Sequence, residues 1–154
     1  MEYRHTQTAL APFFMFAAAV IVYFMIIGSQ APPAEVNLFV GALFAVIGVT
    51  MLLFSRLTTT IAGGLVTVAF GAGWPVRTMP TADISAAKQV RNTWWYGWGM
   101  RKIPNGWMYN VWGLDAVELD LPDNKKFRIG TDEPIDLVTA IDLNTTKRMD
   151  GYDS

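Results

Sequence analysis

Few side chains in this sequence could do covalent chemistry. Of its 154 residues one is a histidine, His5, and none is a cysteine. Disulfides and thiolate nucleophiles drop out, and zinc sites of the usual His/Cys kinds with them. Ser–His and Cys–His pairs would have to use His5, which stands just before an apolar segment and is expected in solvent. Gly71-x-Gly73 and Gly97-x-Gly99 lack the third glycine and the following helix of a dinucleotide fingerprint, and no phosphate-loop sequence occurs. Asp and Glu scatter over turns and strand exteriors, the pattern of solvated carboxylates. The expectation is a protein that is not an enzyme, with no catalytic residues, no metal and no cofactor.

What remains is recognition chemistry. Trp94, Trp95, Tyr96 and Trp98 form an aromatic cluster, with Trp107, Tyr109 and Trp112 nearby. Neighbours on a strand point to opposite faces, so one of Trp94 and Trp95 is expected outside the core. There it packs under a loop or the terminal helix, meets a partner protein, or lies at the headgroup level of a bilayer. Stacking on nucleic-acid bases would need a basic groove. Between Leu57 and Ser154, ten Lys or Arg face eleven Asp or Glu, so no nucleic-acid partner is expected. Arg77, Arg91, Arg101 and Lys102 have no obvious neighbouring acid. They either line one site for anionic lipid headgroups or are solvated strand ends.

The elements that must position these residues begin with two apolar stretches, Ala9 to Ile27 and Leu38 to Phe54, neither containing Lys, Arg, Asp or Glu. Each approaches the roughly 20 residues that span a hydrocarbon core, so the front of the chain reads as a transmembrane helical hairpin. Arg4 precedes the pair, Arg56 follows it, and the loop from Ser29 to Glu35 carries no base. The positive-inside bias then puts both termini in the cytoplasm. A signal peptide ending near Ser29-Gln30-Ala31 is the rival reading, opposed by an apolar run longer than an ordinary h-region. Small residues recur at Gly41, Ala45 and Gly48, where backbones can approach closely. They join the hairpin's own helices, or dock one face on another membrane subunit. Asn37 is expected at an interface rather than on an ion.

After Arg56 the period shortens to that of strands. Leu57 to Ala62 and Leu65 to Phe70 flank Gly63-Gly64 as a hairpin. Short strands are expected at Val76 to Met79, Lys88 to Thr93 and Trp107 to Val111. Val117, Leu119 and Leu121 alternate with Glu118 and Asp120, and Phe127 and Ile129 with Lys126 and Arg128. Pairing Leu121 with Lys125 sets Asp120 beside Lys126 and Glu118 beside Arg128 on the outer surface. Thr131 is the expected N-cap of a closing helix whose buried stripe is Ile135, Val138 and Ile141.

In order, Tyr96-Gly97-Trp98-Gly99-Met100-Arg101, Trp107 to Val111, Gly113-Leu114-Asp115-Ala116-Val117-Glu118 and Arg128 to Pro134 resemble the bacterial pleckstrin-homology-like domain of small membrane proteins with two amino-terminal transmembrane helices. The resemblance covers roughly Leu57 to Leu143. It implies a small, partly open all-β barrel of about seven antiparallel strands capped by a C-terminal helix. Some relatives resemble assembly factors of bacterial photosynthetic complexes. The lipid-binding role of eukaryotic relatives is not carried over, because the corresponding turn, Ala62-Gly63-Gly64, has no base.

The resulting expectation is an anchor at 1–56, a PH-like cytoplasmic domain at 57–149 and a polar tail at 150–154. In a bacterial inner membrane it would be a non-catalytic accessory subunit or assembly factor of a larger complex, photosynthetic or respiratory. Its partners would be integral membrane subunits and lipids, met through Trp94, Trp95, Trp98, Gly41, Ala45 and Gly48. The alternative is a PH-like binder of anionic headgroups using Arg77, Arg91, Arg101 and Lys102. Gly97, Gly99, Gly113 and Gly130 are assigned to backbone geometry.

Overall fold

The chain opens on a strand rather than a helix. β1 (Tyr3–Thr8) pairs antiparallel with β2 (Arg56–Ala62), from Tyr3 opposite Ile61 to Thr8 opposite Arg56. Both apolar segments lie between these paired strands. α1 (Ala11–Val22) passes into a π-helical turn, Tyr23–Ile27, and α2 is Ala34–Phe54. The Ala9 N–H donates to the Ser55 carbonyl at 2.8 Å, so the strand pair holds the two helix feet side by side. This computed structural model describes residues 2–30, 32–71 and 73–149, and the polar tail expected at 150–154 lies outside them.

Among the described residues only α2 is long and apolar enough to cross a membrane; its 21 residues extend ~31 Å at the usual helical rise. The first apolar stretch amounts to 17 helical residues, Ala11–Ile27, and loosens into π geometry at its end. The two expected spans thus reduce to one candidate. Neither helix buries a described residue, and Phe14, Met15, Leu38 and Phe39 are largely exposed. The helices meet edge-on through Phe16 and Tyr23 against Phe44, at centroid separations of 5.7 and 5.8 Å. The Tyr23 hydroxyl donates to Asn37 Oδ1 at 2.9 Å, which gives that asparagine the interface role expected for it.

β2 turns at Gly63-Gly64 into β3 (Leu65–Phe70), and β4 (Val76–Pro80) completes a four-stranded antiparallel sheet in the order β1-β2-β3-β4. The second sheet has the order β5-β8-β9-β7-β6, built from β5 (Ala86–Arg91), β6 (Gly99–Ile103), β7 (Gly106–Asn110), β8 (Asp115–Leu121) and β9 (Lys125–Gly130). Its pairs are antiparallel except β7 with β9, which is parallel. The register around Leu121 and Lys125 is the expected one, with Asp120 opposite Lys126 and Glu118 opposite Arg128. Among the described residues no ladder joins the sheets, so two sheets of four and five strands replace the expected partly open barrel of about seven antiparallel strands. Arg77 of the edge strand β4 and Lys102 of the edge strand β6 are exposed and line a common cleft.

Leu57, Ile61, Val66, Val68 and Phe70 of the first sheet pack on Val117, Leu119, Phe127 and Ile129 of the second. α3 (Pro134–Met149) covers the core with Leu137, Ala140 and Ile141. The buried stripe is therefore turned away from the expected Ile135, which is exposed. Leu137, Ala140 and Ile141 follow the i, i+3, i+4 repeat of one helix face. The Thr131 hydroxyl accepts the Glu133 N–H at 3.1 Å ahead of the helix, while the first helical turn closes from Leu137 N–H to the Glu133 carbonyl. Thr131 thus shapes the entry turn and Glu133 takes the cap position.

A column of rings ties α2 to both sheets. Phe54 meets Phe70 at 5.3 Å, Phe70 meets Tyr109 at 5.2 Å and Tyr109 meets Phe127 at 5.1 Å, centroid to centroid.

Candidate functional site

The strand registers give the β unit two distinct ends. Thr8 faces Arg56 and Leu57 faces Phe70, so the turn at 71–75 lies where the apolar helices leave the sheet. In the second sheet Gly99 faces Asn110, β7 runs parallel to β9, Gly130 faces Ala116 and Asp115 faces Arg91. The connections at 92–98 and 111–114 therefore share one end. A groove lined by Phe13, Phe54, Gly99, Met100 and Val111 joins that end to the helix feet. The turn at Ala62-Gly63-Gly64 is at the opposite end, beside Thr81, whose N–H donates to the Gly64 carbonyl.

Trp74, Trp94, Trp95 and Trp98 are exposed toward the helix-proximal end, whereas Trp107, 49% exposed, stands at the other end of the second sheet beside Lys102. Trp94 and Trp95 occupy a short 3-10 turn, Trp94–Tyr96, rather than a strand. Strand alternation does not apply there, and both side chains face solvent, 75% and 67% exposed, with their rings edge to face at 5.8 Å. One of the two was expected outside the core by strand alternation; both are outside, and the turn places them there. Trp98 is half-exposed and stacks on Trp112 at 4.9 Å. Trp74, which the sequence reading passed over, is 72% exposed in the turn at 71–75. A large aromatic between Gly73 and Pro75 was the available signal, since a turn offers it no core to enter.

The four unpaired bases do not form one site. Arg101 and Lys102 are adjacent on β6 and point to opposite faces. Lys102 joins Arg77 in a cleft of about 420 Å³ with Trp107, Lys125 and Lys126. The Arg77 guanidinium lies 5.7 Å from the centre of the Phe127 ring. Arg101 stands instead on the rim of the groove under the helices, its Nε donating to the Trp98 carbonyl at 3.2 Å. Arg91 ends β5 away from both. None of the four makes a salt bridge among the described residues.

Gly41 and Gly48 share one face of α2 by their seven-residue spacing: a Cβ on Gly48 would touch the Phe16 ring at 3.7 Å, Gly41 lines a cleft with Tyr23 and Phe24, and Ala45 is exposed.

Two polar groups depart from the expected solvated pattern. Glu118 is buried and held by Lys126 and by Arg128, whose Nε lies 2.6 Å from Oε2. Burial pushes the Glu118 carboxyl up, but these two hydrogen-bonded cations outweigh it and hold the group below the ordinary glutamate value. His5, expected in solvent, is mostly covered in β1: Nε2 lies 2.6 Å from Asp132 Oδ1 and Nδ1 3.1 Å from Glu133 Oε2. It fastens the first strand to the start of α3. These contacts are structural in kind, and among the described residues no three His, Cys, Asp or Glu gather closely enough to hold a metal.

Compared with known proteins, the chain matches no family model, no curated protein and no solved structure.

Proposed function

We propose that this chain is a non-catalytic, membrane-anchored interaction module, an accessory subunit or assembly factor that recognises integral membrane subunits of a larger complex at the bilayer surface. The observation that carries this reading is the gathering of exposed Trp74, Trp94 and Trp95 at the end of the β unit from which the apolar helices leave. Large solvent-facing aromatics beside apolar helices suit a headgroup-level contact with a neighbouring membrane protein. The exposed Ala45 of α2 extends that contact along the helix.

The two-pass arrangement belongs to the same proposal. If α2 crosses a bilayer, the pairing of Thr8 with Arg56 requires the preceding segment to return across it, because both residues are in one sheet. Removal of the first helix as a signal peptide would also take β1 out of that sheet. Arg4 and Arg56 on these strands favour a cytoplasmic β unit in a bacterial inner membrane. A PH-like origin is supported by two largely antiparallel sheets with a C-terminal helix, while β1 and the parallel β7–β9 pair are additions to that pattern.

Gentle detergent extraction followed by native mass spectrometry tests the reading. The full chain is expected to travel with an integral membrane protein at fixed stoichiometry, and a Trp94→Ser/Trp95→Ser variant is expected to lose it while melting at an unchanged temperature. Recovery of the chain alone, or a partner retained undiminished by the double substitution, would overturn the proposal.

A further inference from the structure

We infer that the groove between the helix feet and β6 is a binding site for one anionic phospholipid, with an acyl chain along its apolar wall and the phosphate on Arg101. The inference rests on the membrane-anchored reading above. The groove measures about 440 Å³, within the range of roughly 300–1,000 Å³ common to small-molecule sites. Phe13 of α1 and Met51 and Phe54 of α2 form one wall, and Met100 of β6 and Val111 just after β7 form the other. No Asp or Glu lines it.

Its position selects a lipid over a water-soluble ligand. The helical wall continues onto the exposed apolar sides of α1 and α2, including Phe14 and Leu52, so a chain can enter sideways without leaving an apolar environment. Charge complementarity then selects the headgroup. Arg101 is the one cation among the groove's lining residues, and it makes no salt bridge among the described residues. Its Nε is committed to the Trp98 carbonyl, which fixes the guanidinium at the rim and leaves its two terminal nitrogens for phosphate oxygens. Basic pockets beside membrane helices hold anionic headgroups in this way. The site differs from a headgroup site built on all four unpaired bases, because Arg77, Arg91 and Lys102 lie elsewhere.

The test uses the full chain in mild detergent and native mass spectrometry with palmitoyl-oleoyl phosphatidylglycerol and phosphatidylcholine at equal concentration. The protein is expected to retain one phosphatidylglycerol, preferred about tenfold over phosphatidylcholine, whose quaternary ammonium offsets the phosphate charge that Arg101 meets. Arg101→Gln should remove that preference, and Met100→Trp, which fills the groove, should reduce retention of both lipids. Arg101 is an exposed rim residue, so its variant decides the matter even if Met100→Trp fails to fold. Equal retention of the two lipids, or a preference untouched by Arg101→Gln, overturns the inference, as does a polypeptide found occupying the groove. Release of the chain from membranes by alkaline carbonate would instead overturn the anchoring itself, whereas an embedded chain without lipid preference overturns the groove alone.

Discussion

Tyr3 and Glu118 are each buried polar groups, and their partners give them opposite signs. The Tyr3 hydroxyl is buried with no hydrogen-bond partner among the described residues. Burial first, and then the carboxylates of Glu133, Asp136 and Asp132, push its phenol up to about 12. Above pH ~10 the unfolded chain ionises its tyrosine while the folded chain cannot, so the unfolded state binds fewer protons and stability falls as pH rises toward 12. Tyr3→Phe should leave stability at neutral pH unchanged or raise it by up to ~1 kcal/mol, and should blunt the alkaline loss, as followed by thermal melts from pH 8 to 12. Glu118 runs the other way. Its carboxyl is held below its unfolded value, so its contribution is complete above pH ~4.3 and is lost as pH falls through the depressed folded value. Glu118→Gln should cost about 1–3 kcal/mol at pH 7 and flatten the acid limb of urea midpoints between pH 5 and pH 3. An acid limb identical to that of the unsubstituted chain would show that Lys126 and Arg128 do not depend on this carboxylate.

Between elements, the junction of α2 with the first sheet is a close backbone approach. Gly71 has φ +39 and its Cα faces the Leu53 carbonyl so closely that a methyl group would overlap it. Gly63 also has positive φ, at +59, but opens onto free space. Gly71→Ala should therefore cost clearly more than Gly63→Ala, by at least about 1 kcal/mol, in melts of the two variants in the same detergent. Equal costs would mean that the helix foot gives way freely. Much of this level was legible in the sequence. The β2–β3 hairpin followed from Gly63-Gly64 between β-branched runs, and the β8–β9 register from alternating charges that pair across the strands. β1 was not legible, because Tyr3 to Thr8 is polar and its partner lies some 50 residues away, beyond any local periodicity. β6 was missed for a related reason: Gly99-Met100-Arg101-Lys102-Ile103 is an edge strand whose exposed residues carry no alternating core signal.

Across the molecule, the buried and the solvent-facing aromatics form different sets. Phe70 is fully buried in the ring column that joins Phe54 to Tyr109 and Phe127, whereas Trp94 lies in solvent. Phe70→Ala should cost about 3–5 kcal/mol, while Trp94→Ala, removing a larger side chain, should stay within ~0.5 kcal/mol; denaturant melts of the two decide it, and a reversed ranking would remove the aromatic end from the list of free surfaces. Composition and short-range pattern by themselves determined that the chain has no cysteine and a single histidine, that its front is apolar, and that its remainder is strand-rich and nearly neutral. These are sums and short-range periods, which one-dimensional order fixes. Tertiary structure decided which strands share an end, that Trp74 belongs with Trp94 and Trp95, and that Arg101 parts company with Lys102. Such facts depend on pairings between distant segments, where a one-residue shift in register reverses every side chain. The helix-proximal end exists only because β1 and β2 close around the apolar segments.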